Sequence, residues 1–361
     1  MEMFHRILKT AVEGGASDVH LKIGTPVVFR INRQLVAIEC PHPAQDWMNN
    51  IVEHITPPHL RQKIDDEREA DFSYFVPNIG RFRTNLFQQR GQWCLAMRYV
   101  KTHVPSFEEL GLLEQIKKIS ESPRGIVLVA GSTGCGKSTT LAAMIDLINT
   151  NYDVKVISVE DPIEFLHTDK RAMISQIEVG TDSASFDQAL RQALRQDPDV
   201  ILVGELRDME TLRMALRAAD TGHQVFATVH SSRAAQTVER IIAMFPPAEH
   251  KVLLSQLAHS LEAIISQRLV VMRAEGGGRR PAIEILRGGP VTEKYIMEGK
   301  LAQLTEFIEG GTSGMQSFDQ HLLQMYNERL IAGTEALKHA NRPEALATAM
   351  RGIKYVSRPG S

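Results

Sequence analysis

A chain of 361 residues is too long for one ordinary domain and suits two, each with a core of its own. Its formal net charge of -2 at pH 7 argues against a nucleic-acid motor, which usually carries a basic stripe, so no nucleic-acid partner is expected. Its three cysteines lie far apart without a C-x-x-C pair, which indicates neither a disulfide framework nor a zinc site and suits a reducing cytoplasm.

The N-terminal stretch MEMFHRILKTAVEGG lacks the apolar core of a signal peptide. Nowhere does an apolar run reach the length of about 18 residues that a membrane span requires. We therefore expect a cytoplasmic protein without direct membrane insertion, which meets a membrane only through a partner.

The front of the chain alternates short helices and strands. Apolar side chains at helical spacing predict a helix over residues 3–13, which Gly14 ends. Ser17–Leu21 reads as a short strand with a polar start, and Val27–Ile31 and Gln34–Ile38 read as a hairpin. Helical segments over 47–55 and 58–64 lead to a meander of three strands, Ala70–Val76, Gly80–Gln88 and Gln92–Val100.

This meander is rich in arginine. Arg81 and Arg83 are two residues apart and share a strand face, and Arg98 lies on the exposed face of the next strand. The pattern fits a solvated basic face. It also fits arginine fingers that stabilise charge on a transferring phosphoryl group, including one in a neighbouring subunit's site. A single helix over 101–123, flanked by prolines, is then predicted as the connection.

The segment Gly131–Ser138 reads GSTGCGKS and fits G-x-x-x-x-G-K-[ST], whose backbone N–H groups cradle phosphates while its hydroxyl binds Mg²⁺. The apolar run Gly125–Ala130 precedes it and a helical pattern over Leu141–Ile148 follows, so strand, loop and helix stand in the required order. We expect alkylation of Cys135, inside the loop, to block nucleotide binding. The predicted cofactors are ATP and Mg²⁺, and the predicted nucleotide-binding residues are Gly131, Ser132, Thr133, Gly134, Cys135, Gly136, Lys137, Ser138 and Thr139.

Acidic residues follow two further apolar strands. The strand Val154–Val159 runs into EDPIE, whose Glu164 could orient the attacking water or take its proton, although an acid-rich turn is the plain alternative. Glu205 follows the strand Val200–Val203 as in a Walker B arrangement, so this acid and Ser138 are the expected metal ligands.

Two histidines lie at the ends of the strand Val225–Val229. His223 is expected to be structural, whereas His230 lies at the sheet edge of the acids and is expected to contact the γ-phosphate. Further on, we predict an amphipathic helix over 248–267 and a hairpin across Gly276–Gly278. A mostly helical region over 292–352, with Ser317 as an N-cap, and a frayed tail over 357–361 complete the chain.

Four ordered motifs resemble those of the secretion-ATPase superfamily, specifically the type IV pilus retraction ATPases of the PilT and PilU branch. GSTGCGKSTT is similar to their Walker A motif, ISVEDPIEF to their Asp box, DPDVILVGELRD to their Walker B motif and TGHQVFATVHSS to their His box. The front segments ASDVHL and GRFRTNLFQQRG are similar as well, so the resemblance covers nearly the whole chain. It implies an α/β fold in which a PAS-like N-terminal α+β domain precedes a RecA-like P-loop ATPase domain with C-terminal helices.

The resemblance implies a Mg²⁺-dependent ATPase that works as a homo-hexamer and powers pilus retraction. Its implied partner is an inner-membrane pilus platform protein, and a paralogous pilus ATPase is a second candidate partner. The implied domains are an N-terminal domain over 1–100, a linker helix over 101–123, an ATPase core over 124–290 and a helical region over 291–361. By position, the catalytic residues are the general base Glu164, the Walker B acid Glu205, the γ-phosphate contact His230 and the front-domain arginines Arg81, Arg83 and Arg98.

The chain departs from the family pattern in two places, the first in a turn away from the chemistry and the second at a helix that bears on function. Arg33 stands where the family usually has a glycine, and Val291–Lys300 (VTEKYIMEGK) occupies the place of an AIRNLIRE-like helix. Because of the second departure, the sequence fits either a principal retraction motor or an accessory paralogue. The other readings are an extension or type II secretion ATPase, a nucleotide-dependent switch or scaffold that hardly hydrolyses ATP, and a nucleic-acid motor.

Overall fold

The computed structural model describes residues 1–31, 34–273 and 278–352, and the chain divides into two compact units. The first unit comprises residues 1–103, 162–166 and 180–182, and the second comprises 104–161, 167–179 and the chain from 183 onward. In these described residues, no helix combines the length and apolarity that crossing a bilayer requires. The predicted α/β class is confirmed, with a sheet domain preceding a domain built on a mostly parallel sheet.

The first unit is a six-stranded antiparallel sheet with helices packed on one face. Its helices are α1 (Glu2–Glu13), α2 (Gln45–Ile55) and α3 (Arg61–Glu67), with a 3-10 turn at Pro58–Leu60. Its strands are β1 (Asp18–Lys22), β2 (Val27–Ile31), β3 (Gln34–Ile38), β4 (Glu69–Val76), β5 (Gly80–Gln89) and β6 (Gln92–Val100). They lie in the order β3-β2-β1-β6-β5-β4.

Alternation along β6 explains how this sheet separates its two faces. Leu95 and Met97 are buried against the helices, whereas Arg98, which directly follows Met97 and points to the other face, is exposed. The same period of two places Arg83 on the exposed side of β5, beside buried Phe82. The core is therefore on the helix side, and the opposite face displays arginines.

The predicted linker helix is wrong, because the structure has two short helices, α4 (Phe107–Leu110) and α5 (Glu114–Ser120). Gly111 ends the first of them in the left-handed region at φ 64°, a conformation that glycine adopts without strain. Phe107 and the buried Ile116 pack in the apolar core of the second unit. Both short helices therefore belong to that unit, which begins at residue 104.

The second unit is a seven-stranded sheet in the order β13-β12-β7-β11-β10-β8-β9. Its strands are β7 (Gly125–Ala130), β8 (Lys155–Glu160), β9 (Met173–Glu178), β10 (Val200–Val203), β11 (Gln224–Val229), β12 (Leu261–Val271) and β13 (Arg279–Arg287). Neighbouring strands are parallel except for the β12–β13 hairpin. The continuous apolar runs of β7, β10 and β11 are buried on both faces, as such strands are in parallel sheets.

Helices connect these strands and continue beyond them. They are α6 (Lys137–Asn151), α7 (Phe186–Ala193), α8 (Met209–Asp220), α9 (Ala234–Ala243), α10 (His250–Ser260), α11 (Pro290–Met297), α12 (Leu301–Glu309), α13 (Phe318–Asn327), α14 (Gly333–His339) and α15 (Pro343–Met350). Ser185 caps α7 by accepting the N–H of Gln188, as its sequence indicates. Ser317 and Gln320 form a complete capping box at α13, which confirms the predicted N-cap.

The helix predicted over 248–267 is wrong in its second half. Helix α10 ends at Ser260, and Leu261 begins β12, which lies between β7 and β13. Leucines at 253, 257 and 261 fit a helix period, but a short apolar run cannot be distinguished from a buried strand by period alone. Pairing with β7 on one side and β13 on the other decides for the strand. Three predicted features, the Asn32–Arg33 turn with its departure at Arg33, Gly276–Gly277 and the tail over 357–361, lie outside the described residues.

A buried histidine joins the C-terminal helices to the sheet. His321 on α13 accepts the backbone N–H of Ile283 in β13 through Nδ1, at 2.9 Å. Burial lowers the pKa of His321 to about 4, which the charge of Glu328 opposes only in part. The imidazole is therefore neutral at physiological pH and serves as a fixed acceptor.

Because the folded pKa of His321 lies below its ordinary value of 6.5, the unfolded chain binds more protons between those two values. The stabilisation is complete above the ordinary value and is lost as the pH falls toward the folded value. We expect the free energy of unfolding to fall by about 2 kcal/mol between pH 7 and pH 5 from this group, measured by urea unfolding with circular dichroism. His321→Asn should lose this pH dependence. His54→Asn, at an exposed position on α2, should keep it; an unchanged slope in His321→Asn would contradict the assignment.

Candidate nucleotide-binding site

The phosphate loop joins the end of β7 to the start of α6. Gly136 stands at the N-cap of α6 in the left-handed region, at φ 93°. The loop begins beside β11, where Gly131 donates its N–H to the carbonyl of Val229 at 3.3 Å. The free N–H groups of the first helical turn, and the positive end of the helix dipole, therefore face the loop, which is the usual arrangement for binding phosphate.

The loop requires a glycine at its first position. A Cβ at Gly131 would lie 2.3 Å from Sγ of Cys135 and 2.8 Å from the backbone oxygen of Gln267, both too close for any side chain. Its φ of 155° is also a value that residues with a side chain rarely adopt, so both space and backbone conformation require glycine here. The loop thus passes against β12 with its base closed, while Ser132, Thr133 and Gly134 at its crest are exposed.

Lys137 lies over the loop that precedes it. Its side chain is buried, and its ammonium donates to the backbone oxygens of Gly131 at 3.0 Å and of Ser132 at 3.2 Å. These two acceptors are neutral carbonyls, so the positive charge is not neutralised by them. A buried cation next to helix N–H groups favours an anionic ligand, and the residues present therefore fit a nucleotide phosphate.

The thiol of Cys135 is buried at the base of the loop, where its sulfur faces the backbone of Gly131. Burial raises its pKa above the ordinary value, and the neighbouring Lys137 offsets that effect only in part. Since the thiolate is the reactive form, the folded protein should alkylate slowly at this position. The block of nucleotide binding by alkylation at Cys135 stays a prediction, and its test requires labelling carried to completion.

A glutamine that the sequence reasoning missed also holds the loop. Gln267 on β12 donates from Nε2 to the carbonyl of Cys135 at 2.8 Å and accepts at Oε1 from the hydroxyl of Thr140 at 3.0 Å. The sequence predicts a helix over 248–267, and a helix there does not place Gln267 beside the loop. No sequence motif marks Gln267. Only the pairing of β12 with β7 shows that it lies beside the loop.

Glu205, the predicted Walker B acid, lies at the same sheet edge as the loop, and its role stays a prediction. Glu205 follows β10, and His230 follows β11; these strands are parallel neighbours, with Val203 beside Ala227. The two side chains meet, with Nε2 of His230 3.2 Å from Oε1 of Glu205. The Asp208 carboxylate caps α8 through the N–H of Thr211, so that acid has a structural task.

Arg207 completes this cluster. Its Nε donates to Oε2 of Glu205 at 2.7 Å, and its Nη1 lies 3.5 Å from Oδ2 of Asp161. Because Glu205 is largely buried while Arg207 is half exposed, the pairing fixes the carboxylate more than it fixes the arginine. Sequence reasoning gave Arg207 no role, although it stands two residues after the Walker B acid.

The front arginines form a row across the open face of the first unit's sheet. Arg98 is in register with Arg83 on one side and with Asp18 on the other, and Asp18 is in register with Arg30. Nε of Arg98 donates to Oδ1 of Asp18 at 2.8 Å. Burial acts to raise the pKa of Asp18, but hydrogen bonds from Ser17 and Arg98 outweigh it and hold that pKa below its ordinary value.

Asp18 therefore anchors Arg98, a contact that the sequence reasoning missed when it read Ser17–Leu21 as a plain strand. Arg81 lies two residues from Arg83 on the same strand face, in register with Phe75 of β4. The structure thus brings Arg81, Arg83 and Arg98 together on one face. Their action on a nucleotide stays a prediction.

Glu164 belongs to the first unit, although the strand before it belongs to the second. It is exposed between two buried apolar residues, Ile163 and Phe165. Phe165 forms a parallel bridge with Lys101, and the N–H of Leu166 donates to the carbonyl of Lys101 at 3.2 Å. The backbone around Glu164 is thus held in an extended form with the carboxylate outward, and its role as general base stays a prediction.

The second unit's residues suit the binding of ATP with Mg²⁺. The loop N–H groups and Lys137 would hold the phosphates, while the hydroxyl of Ser138 and the carboxylate of Glu205 would hold the metal ion. Mg²⁺, when bound, supplies charge neutralisation to the phosphates. The chain's own residues orient these groups, since Gln267 holds the loop and Arg207 holds Glu205.

Comparison with known proteins agrees with this site. The family model described as "Type II/IV secretion system protein" matches residues 1–293. The Pseudomonas aeruginosa "Type IV pilus retractation ATPase PilT" is 42% identical over 339 residues, covering 94% of this chain and 98% of that protein. The P. aeruginosa "Type IV pilus ATPase PilU" is 38% identical over 339 residues, covering 94% of this chain and 88% of that protein. A crystal structure of the pilus retraction motor PilT with bound ADP superposes with a TM-score of 0.87 at 39% identity, covering 95% and 98%.

The phosphate loop, the acid and histidine at one sheet edge, and these matches define a P-loop ATPase, and the chain belongs to the Type II/IV secretion system protein family. It is an ATP-hydrolysing enzyme that uses Mg²⁺. Within the family it is a PilT-type pilus ATPase.

The pairing of Arg207 with Glu205 yields a kinetic prediction. Arg207→Gln should lower kcat for ATP by about tenfold, because the freed carboxylate loses one charge-assisted hydrogen bond and samples other orientations. KM for ATP should change less, since the phosphate loop is untouched. Steady-state ATPase assays at saturating Mg²⁺ measure both constants.

The matched control is Arg213→Gln. Arg213 on α8 makes a similar ion pair with Glu249, at 2.8 Å, and is similarly half exposed. It should leave kcat within about twofold of wild type, as exposed ion pairs contribute little. Equal kcat losses in the two variants would show that Arg207 does not act through Glu205.

Proposed function

We propose that the chain is an ATP-driven motor that powers the retraction of type IV pili, and hence twitching motility. The observation that carries the proposal is the near end-to-end match to a pilus retraction ATPase, which spans 98% of that protein and includes both units. The phosphate loop with Lys137, Glu205 and His230 supplies the chemistry such a motor needs. ATP hydrolysis would provide the work, and pilin disassembly would be its product.

In the proposed mechanism, Glu164 takes a proton from the attacking water, while Glu205 acts on Mg²⁺ and its water shell. His230 contacts the γ-phosphate from the end of β11. Arg81, Arg83 and Arg98 stabilise the developing charge on the transferring phosphoryl group. The open face of the front sheet supports this, because it gathers the three guanidinium groups in adjacent register positions.

We further propose a cytoplasmic homo-hexamer in which the front arginines reach a neighbouring subunit's nucleotide. Support comes from the placement of the arginines and the phosphate loop in different compact units of the chain. The docking partner would be an inner-membrane pilus platform protein, through which the motor is held at the membrane.

An accessory pilus ATPase is the second candidate. PilU of P. aeruginosa matches 339 residues at 38% identity, close to the 42% over an equal length for PilT. Residues 291–300 form the helix α11 and the turn after it without the AIRNLIRE-like sequence. A paralogous pilus ATPase would then be a partner in the same machine.

Deleting the gene in its host bacterium should abolish pilus retraction. Microscopy of labelled pili and the size of twitching zones measure this loss. Wild-type protein and Lys170→Ala, a change at an exposed lysine of the second unit, should restore retraction, whereas Lys137→Ala and Glu205→Gln should not, because phosphate and metal binding are lost. Retraction that persists without the gene and fails only under load would favour the accessory role. Pili that fail to extend would count against both.

Action of the arginines between subunits makes a separate prediction. Arg81→Ala and Glu164→Gln proteins should each hydrolyse ATP slowly, and mixed oligomers should recover part of the turnover, because some interfaces then contain both intact groups. The control replaces the second protein with an Arg81→Ala, Glu164→Gln double variant, which should give no recovery. No gain in oligomers shown to be mixed by mass spectrometry would rule out action in trans.

A further inference from the structure

Strand β12 carries a buried amide directly beside the phosphate loop. Gln267 is 2% exposed and follows Ser266, which is in register with Ala130 at the end of β7. Its two hydrogen bonds, to the carbonyl of Cys135 and from the hydroxyl of Thr140, join the middle of the loop to the first turn of α6. A single side chain therefore fixes the spacing between the loop and the helix that binds phosphate.

The contact between loop and strand is close as well as polar. A Cβ at Gly136 would lie 3.3 Å from Nε2 of Gln267, and one at Gly131 would lie 2.8 Å from its backbone oxygen. The loop thus rests on this residue at both its ends. Because the amide is buried with both its donor and its acceptor satisfied, displacing it would leave buried polar groups unpaired, which proteins avoid.

The next residue on the strand points to the other face, as neighbours in a strand do. Arg268 donates from Nη1 to the carbonyl of His339 at 2.6 Å and from Nη2 to Oδ1 of Asn341 at 2.8 Å. Its guanidinium lies 4.0 Å from the ring centroid of Phe318 on α13. Arg268 therefore binds the C-terminal helices through hydrogen bonds to the segment that joins α14 and α15.

Hydrogen bonding to neighbouring strands holds the part of β12 that carries these contacts. Pairing with β7 ends at Ser266, pairing with β13 continues to Val271, and Val271 donates its N–H to Glu335 of α14 at 2.9 Å. A shift of the strand at either contact is consequently shared by the other. The phosphate loop and the helices α13 to α15 thus contact neighbouring residues of one paired strand.

We propose that Gln267 is a positioning residue of the phosphate loop, and that Arg268, on the same strand, makes nucleotide affinity depend on the docking of the C-terminal helices α13 to α15. The ligand concerned is a nucleoside di- or triphosphate at the loop already described. The inference rests on nucleotide binding alone, so it stands or falls separately from pilus retraction.

The role of Gln267 is tested with Gln267→Met, which keeps the length of the side chain and removes both hydrogen bonds. Affinity for ADP with Mg²⁺, measured by isothermal titration calorimetry on the full chain, should weaken roughly tenfold, the equivalent of two neutral hydrogen bonds. KM for ATP should rise in step, whereas kcat at saturating ATP should stay within about twofold, since the reacting groups are not touched. Thr140→Val removes only one of the bonds and should weaken ADP binding by about threefold.

Gln224→Met is the matched control. Gln224 is also a buried glutamine that donates to a backbone carbonyl, that of Ser120 at 2.8 Å, but it starts β11 at the opposite edge of the sheet. Its variant should lose thermal stability comparably and bind ADP as wild type does. Wild-type ADP affinity in both Gln267→Met and Thr140→Val, or an equal loss in Gln224→Met, would overturn the positioning role.

The link to the C-terminal helices is tested by a double-mutant cycle. Arg268→Lys keeps the charge but not the forked contact with His339 and Asn341, and it should weaken ADP binding by about threefold. In the Gln267→Met background the same change should have no further effect, because the path from β12 to the loop is already cut. Additive losses in the two backgrounds, or no loss in the single variant, would overturn the coupling.

Discussion

The structure depends on one close approach, that of the phosphate loop to strand β12. There is no space for a side chain at Gly131, and the neighbouring Cys135 and Thr140 are held by a buried amide from that strand. Because the loop is closed at its base, its crest and the N–H groups of α6 remain available for anions. Parallel pairing of β7, β11 and β10 then places His230 and Glu205 at the same edge of the sheet.

The charged groups of this protein are held by one another before any ligand is considered. Glu205 is shared between His230 and Arg207, and Asp18 is shared between Arg98 and Arg30. Polar contacts at these distances restrict side-chain orientation more than they add to stability, since most of the pairs are partly exposed. Preorganised groups lose less conformational entropy when they act on a phosphoryl group, which is the condition for strong electrostatic catalysis.

Features formed by residues close together in the sequence could be predicted, whereas contacts between distant residues could not. The phosphate loop, the position of Glu205 after its strand and the N-cap at Ser317 were predictable because their residues are neighbours in the chain, and spacing alone carries the signal. Gln267 was not, because its partners are 127 and 132 residues away, and its own segment has no distinctive period. Asp18 was missed for the same reason, since its partner Arg98 is 80 residues away. Gly111 shows a smaller failure, in which one left-handed glycine divides a predicted helix.

The division of residues between the two compact units bears on how hydrolysis would do work. Glu164 and the three front arginines belong to the first unit, whereas the phosphate loop, Glu205 and His230 belong to the second. If these groups have the roles proposed, a complete catalytic set requires residues from both units, and hydrolysis becomes conditional on how they are brought together. Under those roles, loss of the γ-phosphate would change which residues of each unit the nucleotide holds, and such a change of contacts is how a bond-breaking step becomes a change of position.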